Sequence, residues 1–143
     1  MIDKQTLKTA LLAAGCTKAD YEAAALANIT ADAITPADTM GIVIEPQGLT
    51  LDVQGNGVHE NHQLTVEVFR QCAPESTADS NDAILRDLLT LCKTFIHNLV
   101  RSQLYQKLPS VPVTKITERR YDANVVGWSL LLNLRPIDNG LNC

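Results

Sequence analysis

Val125 to Pro136, VVGWSLLLNLRP, is the stretch on which the fold turns. From Val126 onward, Trp128, Leu130, Leu132 and Leu134 occupy every second position, while Ser129, Leu131, Asn133 and Arg135 take the other side. A period of two over this length is the pattern of a half-buried β-strand. A strand this apolar belongs in the middle or at the inner edge of a sheet, so the sheet cannot close until this late segment has been made.

Upstream, a second pattern complements it. Ser80 stands as an N-cap with Asp82 in the first turn, where the helix dipole favours negative charge. Ile84, Leu85, Leu88, Leu89, Leu91, Cys92, Phe95, Ile96, Leu99 and Val100 then recur at steps of three and four. This predicts a long helix with one apolar stripe, laid across the sheet and ended by Pro109 and Pro112. VTKITERR beyond the prolines reads as a further strand, joined through YDAN to the closing one.

The remaining strands are expected between residues 40 and 73. Ile42 and Ile44 alternate with Val43 and Glu45, and Leu49, Leu51 and Val53 alternate with Thr50, Asp52 and Gln54. With Pro46 to Gly48 between them, the two runs read as a hairpin. A flexible Gly55-Asn56-Gly57 segment and a solvated VHENH loop lead into QLTVEVFRQ, a third strand with Leu64, Val66 and Val68 on one face. At the N-terminus, Leu7, Ala10, Leu11 and Ala14 predict a helix stopped by Gly15. Thr17 with Asp20 three residues on reads as a capping box for a second helix over ADYEAAALAN. The expected class is α+β: a mostly antiparallel sheet packed against one long helix, with a small helical N-terminus.

The 143 residues fit one domain, with a helical part over 1–39, an α+β core over 40–136 and a tail over 137–143. At 45% hydrophobic and 20% charged residues the composition is that of a globular protein. No apolar run approaches the roughly 18 residues of a membrane span. The start, MIDKQTLKTALLAAG, lacks a basic leader segment, so a soluble, non-secreted protein with no membrane partner is expected. Cys16, Cys72, Cys92 and Cys143 are far apart, without metal-site or disulfide spacing, and are expected to be reduced.

The net charge of −4 conceals an asymmetry: residues 1–79 carry 4 basic and 11 acidic side chains, and residues 80–143 carry 8 basic and 5 acidic. Complementary halves suit head-to-tail self-association better than a nucleic-acid groove. The two N-terminal helices outline a helix-turn-helix, but the second begins with Asp20, Tyr21 and Glu22. Because phosphate contacts dominate DNA affinity, sequence-specific nucleic-acid binding is not expected.

Catalytic patterning is sparse. His59 and His62 have an H-x-x-H spacing without the further ligands a metal needs, so no metal or cofactor is expected. Gly55-Asn56-Gly57 lacks the lysine and following helix of a phosphate loop. No cysteine has an activating base near it in sequence. Arg119, Arg120, Tyr121 and Asp122 form the densest polar feature, at a turn between strands. Arginine and tyrosine are favoured interface anchors, so these four are the candidate contact residues.

The order of elements resembles the tail-terminator and tail-completion proteins of tailed bacteriophages. It runs from a helical start through a hairpin, HQLTVEVFRQ, a polar loop, DAILRDLLTLCKTFIHNLVRSQLYQ, a connecting strand and YDANVVGWSLLLNLRP, over roughly residues 40–136. The D-x-x-x-x-G-W pattern from Asp122 to Trp128 is similar to the end of such proteins. The resemblance implies a non-enzymatic structural subunit of the virion, assembled in the host cytoplasm. It would form a cyclic ring with itself and meet the tail tube and the neck or connector proteins. A small ligand-binding or enzymatic α+β domain, or a monomeric adaptor, is the alternative.

Overall fold

The computed structural model of the protein describes residues 3–22, 38–44, 49–71, 78–106, 108, 110–116, 119–120 and 123–137. In chain order they form α1 (Lys4–Ala14), β1 (Lys18–Glu22), β2 (Met40–Ile44), β3 (Thr50–Gln54), β4 (Gly57–Gln71), α2 (Ala78–Ser102), β5 (Val113–Ile116), β6 (Arg119–Arg120) and β7 (Ala123–Leu134). The sheet runs β1-β2-β4-β7-β5, with β3 also on β4 and β6 also on β7. Every described pairing is antiparallel except β1 with β2. The class is therefore the α+β arrangement that the patterning predicts.

β7 lies inside the sheet, between β4 on one side and β5 with β6 on the other. Its alternating residues Leu130, Leu132 and Leu134 meet Val66, Leu64 and His62 of β4 in register. The five aliphatic side chains among them, with Val43, Val68 and the α2 residues Leu88, Cys92, Phe95 and Leu99, make the main core. α1 adds Leu7 and Leu11 to the same face. The opposite face buries Met40, Ile42, Phe69, Ile116 and Val125 as a second cluster.

Gly127 explains part of the G-W pattern. It stands opposite Phe69, and a Cβ there would collide with the Val68 carbonyl oxygen and lie 2.7 Å from Phe69 Cα. Only a residue without a side chain lets β7 and β4 approach at this point. The next residue, Trp128, turns to the helix face and donates from Nε1 to the Leu85 carbonyl at 2.8 Å, tying β7 to α2.

Several expectations are corrected. Gly15 ends α1 with φ +127, as its place in the sequence suggests. The segment after it, however, is strand β1 at Lys18–Glu22, so the helical reading of ADYE does not hold; residues 23–28 lie outside those described. Thr17 does not cap a helix. Its hydroxyl accepts from the Thr39 amide at 2.8 Å and sits 3.2 Å from Asp38 Oδ1, while the Thr17 amide donates to the Thr39 carbonyl. The alanine-rich local propensity is overridden because these bonds align β1 with β2, where Ala19 and Tyr21 pack on the core.

The expected hairpin of residues 42–54 is not formed either. β2 pairs with Thr65 to Phe69 and β3 with Gly57 to Asn61, so the two lie along different parts of the same long partner. The true hairpin joins β3 to β4 through Gly55 and Asn56, with Gln54 opposite Gly57 and Gly55 at φ +59. A glycine with positive φ at the first loop position is what a two-residue II′ turn requires. Gly55-Asn56-Gly57 is thus a tight turn, and VHENH is strand, not loop.

α2 begins at Ala78, two residues before the expected cap at Ser80, and ends at Ser102, well before Pro109. Gln103 takes φ 57, and the Ser102 hydroxyl donates to the Leu99 carbonyl at 2.6 Å, so the stop is a local backbone reversal rather than a proline. VTKITERR contributes β5 and β6, which share one register against β7.

Candidate interaction surfaces

The first five residues of β4, Gly57 to Asn61, pair only with β3 among the described residues, because β7 joins at His62 and β2 at Thr65. The two strands make a two-stranded arm roughly 17 Å long at about 3.4 Å per residue, extending past the end of β7. Facing residues share a side, so Leu51, Val53, Val58 and Glu60 stand on one face of the arm, and Thr50, Asp52, Gln54, His59 and Asn61 on the other.

The apolar face is the one left in solvent. Leu51 is 59% exposed, Val53 73% and Val58 61%. The polar face is engaged instead: Arg135 Nη2, just past β7, donates to Asp52 Oδ2 at 2.8 Å. Asp52, Asn61, Gln106, Asn133 and Arg135 line a polar cavity of about 540 Å³ at the root of the arm. On the other face His62, only 4% exposed, places Nε2 3.1 Å from Glu60 Oε2.

A second apolar surface is recessed. On the helix side of the sheet, α1 covers β1 and β2, and α2 covers β4 and β7. Beside α2, next to β5, an apolar groove of about 420 Å³ remains, lined chiefly by Leu89, Ile96, Val100 and Val113 with Lys93 and His97 at its rim. Val100 and Val113 are exposed in it. Lys115, two residues beyond Val113 on the same side of β5, and Arg101, one turn after His97, are both exposed as well.

Of the candidate contact residues, Arg119 and Arg120 form β6, paired with Asn124 and Ala123 of β7. Tyr121 and Asp122 lie outside the described residues. The histidines do not converge: three positions apart on one strand, His59 and His62 take opposite faces. His62 is buried rather than in an exposed loop. Among the described residues no group of three His, Cys, Asp or Glu side chains is arranged to hold a metal ion.

Cys16 and Cys92 are free thiols in the main core. Burial pushes both up to about 12, with the neighbouring Cys92 adding to the effect at Cys16. They are protonated and weakly nucleophilic at neutral pH. Cys72 and Cys143 lie outside the described residues. Among the described residues no helix is long and apolar enough to cross a membrane.

Neither exposed apolar surface is singled out in the sequence reading. Its alternation in Leu49, Leu51 and Val53 identifies a strand but not which neighbour covers it. The available signal is Gly-Asn between two alternating runs, which marks a tight hairpin and so places Val53 opposite Val58. The chain matches no protein-family model and no curated protein.

Proposed function

We propose that the protein is a structural subunit of a bacteriophage tail: a tail-terminator or tail-completion protein that assembles into a ring at the end of the tail tube, near the head-tail junction. The observation that carries the assembly part of this reading is the arm, a β-ribbon whose apolar face is turned to solvent while its polar face is tied to the body through Asp52 and Arg135. Contiguous exposed apolar surface marks a site of association. The phage assignment rests on the order and pattern of the elements. Its partners would be further copies of itself, the tail tube and the neck or connector proteins, and its place the virion.

Such a subunit works by geometry. A ring arises when one surface of each copy meets a different surface of the next through a rotation that closes. The acidic first half and basic second half of the chain supply opposite charges for such a contact. Arg119 and Arg120 remain the candidate contact residues for it.

The test is the solution mass by light scattering over a range of concentration, with electron micrographs of the same fractions and of mixtures with isolated tail tubes. Closed rings that sit at tube ends are the expected result. A monomer at every concentration that leaves tube ends bare would overturn the proposal.

A second reading has one observation in its favour. The groove beside α2, at about 420 Å³, falls in the size range of small-molecule sites. A ligand-binding monomer would show a raised unfolding temperature with an apolar small molecule and no concentration-dependent mass.

A further inference from the structure

We infer that the apolar face of the β3–β4 arm seats in the α2–β5 groove of a second copy of this chain. This deepens the ring-forming reading and rests on it for closure, although the contact itself needs only two copies.

Three features of the two surfaces correspond. First, one projects and the other is recessed. Leu51, Val53 and Val58 stand out on a narrow ribbon, and Leu89, Ile96, Val100 and Val113 line a trough open to solvent. Second, the charges are opposite. Residues 49–61 contain Asp52 and Glu60 and no lysine or arginine; Glu60 is on the apolar face, beside His62, while Asp52 is on the other face and held by Arg135. The groove carries Lys93 and His97 at its rim, and Arg101 and Lys115 extend that basic flank. Third, β5 is an end strand in the sheet order, pairing with β7 alone among the described residues. β3 likewise pairs only with β4 among them. Edge strands and apolar troughs are the standard receivers of an added ribbon.

In a single copy the two surfaces are separate, since Val53 and Val58 remain in solvent. Each copy therefore offers an arm and a groove at once. The contact joins two different surfaces, so it yields a ring where it propagates and the rotation closes, and a two-fold dimer where two copies exchange arms. The charge-rich periphery makes the contact salt-sensitive, and its apolar centre gives it most of its strength.

The experiment uses two variants of the full chain, one altered in the arm (Val53→Asp with Val58→Asp) and one in the groove (Val100→Asp with Val113→Asp). Val53 is 73% exposed, Val58 61%, Val100 49% and Val113 40%, so none of the four is a core side chain. A milder set with threonine at the same positions keeps the side-chain shape and serves where an aspartate variant fails to fold. Each variant alone is expected to lose self-association by roughly 30-fold or more, as for a buried anchor. Mixed in equal amounts, they are expected to give a discrete one-to-one heterodimer and no larger species. In that pair, the intact arm of the groove variant meets the intact groove of the arm variant.

A folded arm or groove variant that assembles like the unaltered chain would overturn the pairing while leaving the ring reading intact. A mixture that stays monomeric would also overturn it. A wild-type chain that is monomeric throughout would remove the pairing, and one that also leaves tube ends bare would remove the ring reading.

Discussion

Val58 and Val68 stand on the same face of one strand, ten residues apart, yet Val58 is 61% exposed and Val68 is fully buried. The difference is not in the strand but in its neighbours. Around Val68, β2 and β7 flank β4 and the helices cover it; around Val58, β3 alone is described beside it. Period-two patterning determines which face a side chain takes. Whether that face is covered depends on elements distant in sequence. In the body the apolar alternation is satisfied within one chain, and in the arm the same alternation is left exposed.

The sharpest way to break the body is at Gly127, where any side chain would strike the Val68 carbonyl and Phe69. Gly127→Ala should cost on the order of 4 kcal/mol or leave the chain unfolded, read by denaturant titration, because backbone rather than a flexible side chain must give way. Unchanged stability would show that β4 and β7 are not packed this closely.

Next, the two halves of β4 should respond unequally to truncation. Leu64→Ala, in the core, should destabilise by about 3 kcal/mol. Val58→Ala should change monomer stability by less than about 0.5 kcal/mol while reducing self-association. Equal effects on stability would mean that the arm is buried within its own subunit.

The core thiols give a third contrast, in alkali. Unfolded thiols ionise from an ordinary value of 9.0, whereas Cys16 and Cys92 hold their protons to about 12. Between these values the folded state binds more protons than the unfolded one, so stability should fall as pH rises. The slope is about 1.4 kcal/mol per pH unit for each thiol. Below the unfolded value the effect should vanish. Cys92→Ala should flatten the decline relative to the unaltered chain in urea titrations from neutral to alkaline pH.

The smallest effect concerns how the arm is held. Asp52→Asn removes the charge from its contact with Arg135, a partly exposed pair, and should lower stability by less than about 1 kcal/mol. Amide exchange should nevertheless quicken in residues 50–61 and stay constant in residues 64–69. Equal change in both would tie arm and body into one cooperative unit.

Much of the architecture was legible in the residues. The long helix, the buried closing strand, the helix ended by Gly15 and the α+β class all follow from periodicity and local stop signals, which need only neighbours along the chain. What failed were statements about partners. The runs at 42–44 and 50–54 are strands as their alternation says, but adjacency in sequence suggested that they pair together, when each finds a different length of β4. ADYE has helical composition, yet bonds from Thr17 and Lys18 to Thr39 place it beside β2. Gly127 could be seen as unusual in a strand, but only the approach of Phe69 shows why nothing larger fits. Periodicity by itself therefore determined the kinds of element and the apolar side of each. Tertiary structure decided which strands meet, which apolar sides are covered, and that one of them, on the arm, is not, because coverage is set by contacts between residues that local patterning does not relate.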